Sequence, residues 1–387
     1  MKKEVDCNLT VADPYFSEQD RLYIHKELDK ILSGKLSMGP NVKQFEKEME
    51  KAIGVQHAIA MNSCSSALES CLMAYNLKKD DEVIVPSQTF IATGMSVYLA
   101  GGIPVFAEIS PKTLCLDIDD VKNRITTKTK GIIIVYFLGH VPENIFEFRE
   151  FCDSNNLFLI EDVAHAPGAK LSGKVAGSIG HAGCFSFYST KTITAGEGGM
   201  ITTNDNKLAS ILRSIQNRGQ DLFSSTEVYS RPGRNVRMTE FNALIGRTQL
   251  KHLDDILIHR RRVVRIFKQI LLNHEGYTLV LPNDEEASSY WKFPILLDSK
   301  NKREEITKFL HDKKIMCDWT YPVPLHCQPV FKKILGTEKG ILPQTEDITD
   351  RIICLPCHQR ISNEEAEFIA NSFVLAVNKF GGNSNDC

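Results

Sequence analysis

The sequence predicts an α/β fold made of a large domain with a mostly parallel sheet between helices, followed by a smaller C-terminal α+β domain. Strand-like and helix-like apolar runs alternate from about residue 53 to residue 215, a pattern typical of a parallel sheet covered by helices on both faces. The pattern changes after about residue 260, and 387 residues with 42% hydrophobic content are enough for two substantial cores. We therefore assign residues 1–260, including the N-terminal segment, to the large domain and residues 261–387 to the small one.

The elements of the large domain follow one another in a regular order. Each strand-like run is short and apolar, and the connections to the helix-like runs are short as well. The runs are, in chain order, "HAIAMN", "SSALESCLMAYNL", "DEVIVPS", "TFIATGMSVYLAG", "IPVFAEI", "GIIIVYFLGH" and "LFLIEDVAHA". Ligands of such sheets bind at the carboxyl ends of the strands, so we expect residues 62–66, 87–90 and 161–165 to lie near one crevice.

The last third of the chain begins with a predicted long helix. Apolar residues recur at helical spacing from about Thr239 to beyond Arg265. The charged run "HRRRVVR" at 259–265 is interpreted as a solvated helix face, with a phosphate-binding patch as the alternative. The small domain is then predicted to contain a strand in "SSYWKFPILL", a helix in "KREEITKFLHDKKI" and a terminal helix in "NEEAEFIANSFVLAVNKF".

Charge and cysteine usage exclude several classes of protein. The 46 basic and 48 acidic residues nearly balance, which argues against a nucleic-acid partner and leaves a small neutral or anionic ligand open. No apolar run approaches about 20 residues, and the N-terminus lacks the apolar core of a secretory signal, so we expect no membrane partner and a cytoplasmic location. The eleven scattered cysteines suit a reducing compartment. For the lone CxxC of Cys354 and Cys357, core-facing thiols are favoured over a metal site, and no metal is predicted.

Two residues at strand ends carry the predicted chemistry. Asp162 ends the apolar run "LFLIED", and Lys191 follows "CFSFYS" with three glycines close behind. Taken singly, an aspartate after a strand is usually a turn or helix cap, and a lysine is usually a surface residue. Together they are the two side chains that pyridoxal phosphate requires, a lysine that forms a Schiff base and a carboxylate that holds the pyridinium nitrogen.

The segment "NSCSS" is a candidate phosphate cradle. It lies between a strand and a helix, where free backbone N–H groups and the helix dipole favour an anion, and Ser65 and Ser66 add hydroxyl donors. The alternative is simple N-capping by Asn62 or Ser63, and the two interpretations are compatible. Phe90 begins the next crevice-facing helix and either lies against a planar ring or packs in the core.

Six ordered segments carry a resemblance to a known family. They are "NSCSSAL", "VPSQTFIATG", "EDVAHAPGA", "GCFSFYSTKTITAGEGGMITTND", "GRNVRMTEFNALIGRTQL" and "YPVPLHCQPVF". With these segments the chain resembles, over roughly residues 10–378, the sugar aminotransferases of the DegT/DnrJ/EryC1/StrS family. The resemblance implies a fold like that of aspartate aminotransferase, which is pyridoxal-phosphate fold type I.

The resemblance also implies roles for individual residues. Lys191 matches the Schiff-base lysine, Asp162 the partner of the pyridine nitrogen, and His165 the residue beside the cofactor's ring and phenolic oxygen. These three form the expected catalytic set. The further cofactor contacts that the resemblance implies are Ser65, Ser66, Phe90, Ser186 and Asn235.

Three of the matched positions concern the partners of the site. Asn235 matches an asparagine that reaches the phosphate from the other subunit, which implies a homodimer with shared active sites. By the same analogy His326 lies near the sugar, and Arg237 lies near the donor carboxylate or the phosphate. A structural hydrogen bond is the alternative interpretation for both.

The chain departs from the family pattern at two positions. Cys64 stands where glycine is usual, which puts the detailed phosphate geometry in doubt, and Tyr136 stands where histidine is common. Neither change removes a catalytic group. A subgroup with histidine in place of the lysine performs dehydration or deoxygenation, so the presence of Lys191 favours transamination.

The function that follows is transfer of an amino group, with L-glutamate as the expected donor, to a nucleotide-linked keto-sugar. A 4-keto-6-deoxyhexose is the preferred substrate, and the product would be an amino sugar for polysaccharide biosynthesis. Two alternatives stay open. One is the same reaction on a 3-keto sugar or a cyclitol ketone, and the other is a regulatory protein that binds the cofactor without turnover.

Overall fold

A computed structural model describes residues 9–381 of the chain. The α-helices are α1 (Glu18–Leu32), α2 (Pro40–Ile53), α3 (Cys64–Ala74), α4 (Ile91–Leu99), α5 (Ile118–Arg124), α6 (Ile145–Ser154), α7 (Asn206–Gln216), α8 (Glu240–Leu250), α9 (Leu253–Leu271), α10 (Arg303–Asp312), α11 (Pro329–Leu335), α12 (Pro343–Arg351) and α13 (Asn363–Gly381). The strands are β1 (His57–Met61), β2 (Glu82–Pro86), β3 (Ile103–Ala107), β4 (Thr129–Val135), β5 (Phe158–Asp162), β6 (Lys170–Leu171), β7 (Lys174–Val175), β8 (Ala182–Ser186), β9 (Gly199–Thr203), β10 (Tyr277–Leu279), β11 (Phe293–Leu297) and β12 (Ile352–Leu355).

The large sheet confirms the predicted α/β fold. Its seven strands are ordered β1-β9-β8-β5-β4-β2-β3. The run from β8 to β3 is parallel, whereas β9 lies antiparallel to both of its neighbours. Three antiparallel strands, β10, β11 and β12, form the smaller sheet of the C-terminal part. The carboxyl ends of β2, β4, β5 and β8 therefore meet at one edge of the large sheet.

Alternation along the interior strand β4 explains why helices cover both faces of this sheet. Ile132 of β4 packs in one apolar cluster together with Phe148 of α6. Ile133, the next residue, packs in the opposite cluster together with Leu68 of α3. Successive strand side chains point to opposite faces, so a continuous apolar run such as "GIIIV" requires an apolar partner on each side.

A third apolar cluster lies in the C-terminal part, and one helix connects it to the large domain. The predicted boundary between residues 260 and 261 falls inside α9. The N-terminal half of α9 packs in the cluster beneath the large sheet, and its C-terminal half packs in the C-terminal cluster. Leu9, which the sequence assigns to the large domain, also packs in the C-terminal cluster and forms a backbone bridge with Ile315.

The long helix predicted from Thr239 to beyond Arg265 is two helices, and that prediction is wrong. Thr239 caps α8 through its side chain, but His252 has φ −100° and ψ 4° and separates α8 from α9. The His252 ring accepts or donates a 3.0 Å hydrogen bond with Asp20 of α1. A contact between distant segments accompanies the break, and neither glycine nor proline marks it in the sequence.

The run "HRRRVVR" is not simply a solvated helix face. Arg260 is buried, and its guanidinium Nη1 donates to the carbonyl oxygens of Tyr290 (2.8 Å), Trp291 (3.2 Å) and Cys357 (2.6 Å). Burial lowers the pKa of Arg260 to about 10. This side chain therefore holds together three backbone segments of the C-terminal part.

Two further expectations concern membrane-spanning helices and the CxxC cysteines. Among residues 9–381, none of the helices combines the length and the apolar character needed to cross a membrane. Cys354 and Cys357 are both buried, and they pack in two different apolar clusters. Their thiols are therefore in the interior positions that the spacing analysis favoured.

Candidate active site

A cavity of about 960 Å³ opens at the carboxyl ends of the parallel strands. One wall comes from the segments that follow β1, β2, β5 and β8. The opposite wall comes from the C-terminal part, through residues 317–322 and the two residues before β11. Of the residues predicted from the sequence, the cavity is lined by Ser65, Phe90, Asp162, His165, Ser186 and Lys191.

Asp162 faces this cavity from the end of β5, and Lys191 faces it from the turn that follows the neighbouring strand β8. Asp162 is the last residue of β5, and its Oδ1 and Oδ2 accept hydrogen bonds from the Ala164 N–H and the Thr93 hydroxyl, both 3.1 Å long. Burial raises the pKa of Asp162, and the positive charge of Lys191 partly opposes that shift. Burial lowers the pKa of Lys191 to about 8. The neutral, nucleophilic form of this amine is therefore more populated near neutral pH than in an ordinary lysine.

His165 is held as a neutral ring with a defined tautomer. Burial, reinforced by the charges of Lys191 and Lys292, places the pKa of His165 well below its ordinary value. Its Nδ1 accepts a 3.3 Å hydrogen bond from the Leu138 N–H. The proton is therefore on Nε2, which donates to the Tyr321 hydroxyl at 3.3 Å.

An unpredicted tryptophan lies at the centre of the cavity wall. The Trp291 ring stacks on His165, with centroids 3.9 Å apart and planes inclined by 18°. The Nζ atoms of Lys191 and Lys292 lie 4.3 Å and 4.7 Å from the centroid of the same indole. The indole N–H donates to the Thr190 carbonyl at 2.8 Å, so Trp291 fixes the turn that carries Lys191.

The start of α3 has the form predicted for an anion cradle. Ser63 is the N-cap, and its hydroxyl oxygen accepts the Ser66 N–H at 3.1 Å. Ser65 lines the cavity, whereas the Ser66 hydroxyl accepts a 3.0 Å hydrogen bond from Ser63. Cys64 is the first helical residue of α3, and a right-handed helical backbone accommodates a side chain where the family usually has glycine.

One glycine allows this turn to lie directly against the sheet. A Cβ atom added to Gly199 would lie 2.4 Å from the backbone carbon and oxygen of Ser63 and 2.7 Å from the Cys64 nitrogen. Gly199 is paired with Met61 in β1 and with Ser186 in β8. The cradle is therefore in close backbone contact with the start of β9, which pairs with the end of β8, where Ser186 faces the cavity.

Phe90 lies at the mouth of the cavity. It is the N-cap residue of α4, half of its surface is exposed, and its ring centroid is 5.6 Å from that of Tyr321. This ring is therefore available to a ligand and is not part of the apolar core.

Four predicted residues do not line the cavity: Ser66, Asn235, Arg237 and His326. His326 is fully buried, and its ring nitrogens are hydrogen-bonded to the Ser87 hydroxyl (2.6 Å) and the Glu346 carboxylate (2.9 Å). Arg237 donates a 2.6 Å hydrogen bond to the Asn217 side chain. The structure thus gives His326 and Arg237 the structural hydrogen bonds that were their alternative interpretation.

Asn235 is exposed on the segment before α8. It forms a backbone bridge with Asn217, and it does not line the cavity of its own chain. This position leaves its side chain accessible to another molecule.

Six cavity residues of the C-terminal part were not predicted from the sequence. They lie directly before β11 or at positions 318–321. The available signal was the pair of aromatic segments "YW" and "DWTY": "YW" was interpreted as part of a strand, and of "DWTY" only Tyr321 belongs to a family segment, "YPVPLHCQPVF". The six residues are Trp291, Lys292, Asp318, Trp319, Thr320 and Tyr321.

The residues present fit pyridoxal phosphate. A lysine of lowered pKa and a buried carboxylate face one cavity, and the start of α3 offers an anion site within the same cavity. The cavity lies where fold and topology place ligands of parallel sheets. Fold and site together define a pyridoxal-phosphate-dependent enzyme with the architecture of aspartate aminotransferase.

Comparison with known proteins identifies the family. The model of the DegT/DnrJ/EryC1/StrS aminotransferase family matches residues 19–374, so the chain belongs to this family and is a pyridoxal-phosphate-dependent aminotransferase. GDP-perosamine synthase of Escherichia coli O157:H7 is 33% identical over 96% of this chain and 98% of its own. A dTDP-3-amino-3,4,6-trideoxy-alpha-D-glucose transaminase of Micromonospora megalomicea is 32% identical over 90% of this chain and 92% of its own.

Solved structures agree with the assignment. Helicobacter pylori PseC, an aminotransferase involved in the biosynthesis of pseudoaminic acid, matches with a TM-score of 0.89 and 26% identity over 97% of this chain and 100% of its own. This match confirms the predicted fold, including the C-terminal part.

Proposed function

We propose that the enzyme transfers an amino group from L-glutamate to a nucleotide-linked keto-sugar, with a 4-keto-6-deoxyhexose as the preferred acceptor. The observation that carries the proposal is the placement of Lys191 and Asp162 in one large cavity. At about 960 Å³ the cavity is at the upper end of the range of small-molecule sites, which supports a bulky second substrate beside the cofactor. The perosamine synthase and the dTDP-sugar transaminase among the relatives support a nucleotide sugar.

The proposed roles follow from the contacts of each side chain. When bound, pyridoxal phosphate supplies an aldehyde that exchanges amino groups and a ring that accepts electrons from the donor's α-carbon. Lys191 holds the cofactor covalently at rest, and its freed amine then moves a proton at the donor's α-carbon. Asp162 holds the proton of the pyridine nitrogen. Trp291 and Leu138 position the His165 ring, which is a neutral donor through Nε2 and would stand beside the ring of the bound cofactor.

The anionic end of the cofactor is proposed to lie at the start of α3. Ser65 and Ser186 face the cavity there, and backbone N–H groups at the N-terminus of α3 attract negative charge. Phe90 lies against the cofactor ring or the substrate at the mouth. The Ser66 N–H is donated to Ser63, but the Ser66 hydroxyl only accepts from Ser63 and can still donate its own proton to the phosphate.

Borohydride reduction followed by peptide mapping tests the site. We expect the cofactor label on Lys191 and on no other lysine, and Lys191→Ala should lose transamination. Conversion of bound cofactor to its amine form by glutamate, followed by absorbance, tests the donor. Turnover of a panel of nucleotide-linked 4-keto and 3-keto sugars and a cyclitol ketone tests the acceptor. A label on a different lysine overturns the assignment, and absence of glutamate-dependent conversion favours the regulatory alternative.

We further propose a homodimer in which Asn235 serves the neighbouring active site. The exposed position of Asn235 outside its own cavity supports this arrangement. Asn235→Ala and Lys191→Ala chains are each expected to be impaired. Mixed under subunit exchange, they should regain activity, since a heterodimer contains one site with both residues intact. If exchange is demonstrated and no activity returns, Asn235 does not act across an interface.

A further inference from the structure

A closed set of three polar side chains from the C-terminal part faces the cavity. Lys292 Nζ donates to Asp318 Oδ2 and to the Thr320 hydroxyl oxygen, the latter at 2.6 Å. The Thr320 hydroxyl in turn donates to Asp318 Oδ1 at 2.9 Å. All three residues line the cavity that also contains Lys191. The proposed transfer chemistry uses none of them.

The burial of Lys292 requires a reason beyond stability. The Lys292 side chain is only 8% exposed, whereas that of Asp318 is 37% exposed. A buried ion pair is often no more stabilising than apolar residues of similar volume. A purely structural role therefore does not explain the desolvation free energy of this pair. Polar groups of this kind are typical of ligand-binding sites.

The remaining hydrogen-bonding capacity of the set is that of a hydroxyl site. An ammonium group has three N–H donors, and Lys292 uses two of them within the set. Each Asp318 oxygen accepts one hydrogen bond within the set and has a second lone pair. One N–H of Lys292 and one lone pair of Asp318 are thus adjacent and unused within the set. A hydroxyl group, which both accepts and donates a hydrogen bond, could use both.

Charge argues for a neutral ligand here. Lys292 and Asp318 together carry no net charge, so the set does not attract an anion as an isolated lysine would. The carboxylate of an amino donor would also approach Asp318, which carries the same sign of charge. A neutral hydroxyl group is not repelled by Asp318.

The surroundings of the set suit a sugar ring. Trp291, Trp319 and Tyr321 line the same cavity. Aromatic faces provide apolar contact area with directional preference, and a hexose offers C–H faces together with hydroxyl edges. Polar groups beside aromatic faces therefore match a polyhydroxylated ring better than they match a dicarboxylate.

We propose that Lys292, Asp318 and Thr320 form a subsite that recognises one ring hydroxyl group of the keto-sugar acceptor. This inference rests on the proposed function, because it takes a sugar nucleotide as the second substrate. The subsite sets specificity and is separate from the residues that move protons. It adds a requirement for one hydroxyl to the requirement for a ketone.

The test compares an acceptor with its deoxy analogues. The variant is Lys292→Met with Asp318→Asn, which removes both charges together and leaves no unpaired buried charge. The kcat/KM values are measured for a nucleotide-linked 4-keto-6-deoxyhexose and for analogues lacking the C2 or the C3 hydroxyl. Each value is normalised to the glutamate half-reaction of the same variant. Sites that bind a substrate hydroxyl can reject the deoxy analogue by about 10⁴-fold.

We expect the wild type to favour the parent sugar over one analogue by about 10²-fold or more, since Asp318 is partly exposed and the full effect is reduced. The double variant should lower that preference at least about tenfold, by losing activity on the parent sugar only. Thr320→Val, which keeps the side-chain shape, should act in the same direction and covers the case in which the double variant does not fold. Lys122→Met with Glu147→Gln removes an exposed 2.6 Å ion pair outside the cavity and is the matched control.

Two outcomes overturn the subsite. One is an unchanged preference in both the double variant and Thr320→Val. The other is a loss confined to the glutamate half-reaction, which would assign the set to the donor's carboxylate. Failure of the wild type to use any nucleotide sugar is a different result, because it refutes the proposed function itself.

Discussion

Replacement of Gly199 by alanine tests the close contact between the sheet and the turn before α3 without altering any polar group. The new Cβ would lie 2.4 Å from Ser63 backbone atoms, whereas carbon contacts are favourable at about 3.5 Å or more, so the backbones must separate by about 1 Å. Gly199 is held by pairing with strands on both sides. The turn at Ser63 and Cys64 is therefore the part that must move.

The expected magnitude has two components. Overpacking of this kind costs about 1–3 kcal/mol, which corresponds to a fall in Tm of about 1–4 °C for a chain of this length if it unfolds as one unit. Displacement of the turn also moves the proposed phosphate cradle, so affinity for pyridoxal phosphate should fall about tenfold, equivalent to about 1.4 kcal/mol. Thermal melting of the cofactor-free protein and absorbance titration with pyridoxal phosphate measure the two effects separately.

Gly54→Ala is the matched control. Gly54 ends α2 with φ +77° and has open space around the added Cβ, so alanine there adds backbone strain of about 1–2 kcal/mol without a collision. Its cofactor affinity should equal that of the wild type. If Gly199→Ala also binds the cofactor as tightly as the wild type while it melts at a lower temperature, the turn is not the cradle and the reasoning is refuted.

Three further predictions concern single side chains. Asp162→Asn should keep the fold, because its amide oxygen can still accept from the Ala164 N–H. In stopped-flow measurements it should slow the glutamate half-reaction by several orders of magnitude. A rate within about tenfold of wild type, which is a change of about 1.4 kcal/mol in the activation barrier, would contradict the role of Asp162. Arg260→Met should lower the free energy of unfolding by about 2–4 kcal/mol in urea titrations, because it leaves buried carbonyl groups without a donor. A change below about 0.5 kcal/mol would show that those carbonyl groups find other hydrogen-bond donors. Burial lowers the pKa of His140 from 6.5 to about 4, so the unfolded chain takes up a proton at a higher pH than the folded chain does. His140 should therefore lower the free energy of unfolding by about 3 kcal/mol as the pH falls from 6.5 to 4. His140→Phe should weaken this pH dependence in urea titrations, and an unchanged dependence would argue against a buried neutral ring.

The sequence predicts the large sheet and half of the site because both depend on local patterns. Short apolar runs such as "GIIIV" identify strands that are buried on both faces, and the polar residues that end them must meet at one edge. Chain position places Asp162 and His165 at this edge, the combination of Asp162 with Lys191 points to the cofactor, and the family resemblance supplies the role of His165. The same logic offers Asn62 or Ser63 as the helix cap, of which the structure shows Ser63, and predicts an anion site at the start of α3.

The rest depends on contacts between distant segments, which a local pattern does not contain. Trp291 and Lys292 were assigned to a strand that begins only at Phe293, and their exposure to the cavity comes from the docking of the C-terminal part on the large sheet. His252 interrupts a regular helical pattern and contacts Asp20 across the fold. In the sequence Arg260 is one of several charges on a basic helix. Its structural role depends on the carbonyl groups around it, which come from distant segments.

The pairing of Leu9 with Ile315 has a consequence for the order in which the protein is made. Leu9 N–H donates to the Lys314 carbonyl at 3.0 Å, and the Leu9 carbonyl accepts from Met316 N–H at 2.9 Å. A ribosome releases Leu9 long before it releases Lys314, Ile315 and Met316, and the strands of the large sheet lie between them in the chain. Leu9 must therefore stay without its native partner until the C-terminal part has been made. A residue that is made before the large sheet reaches its final place after it.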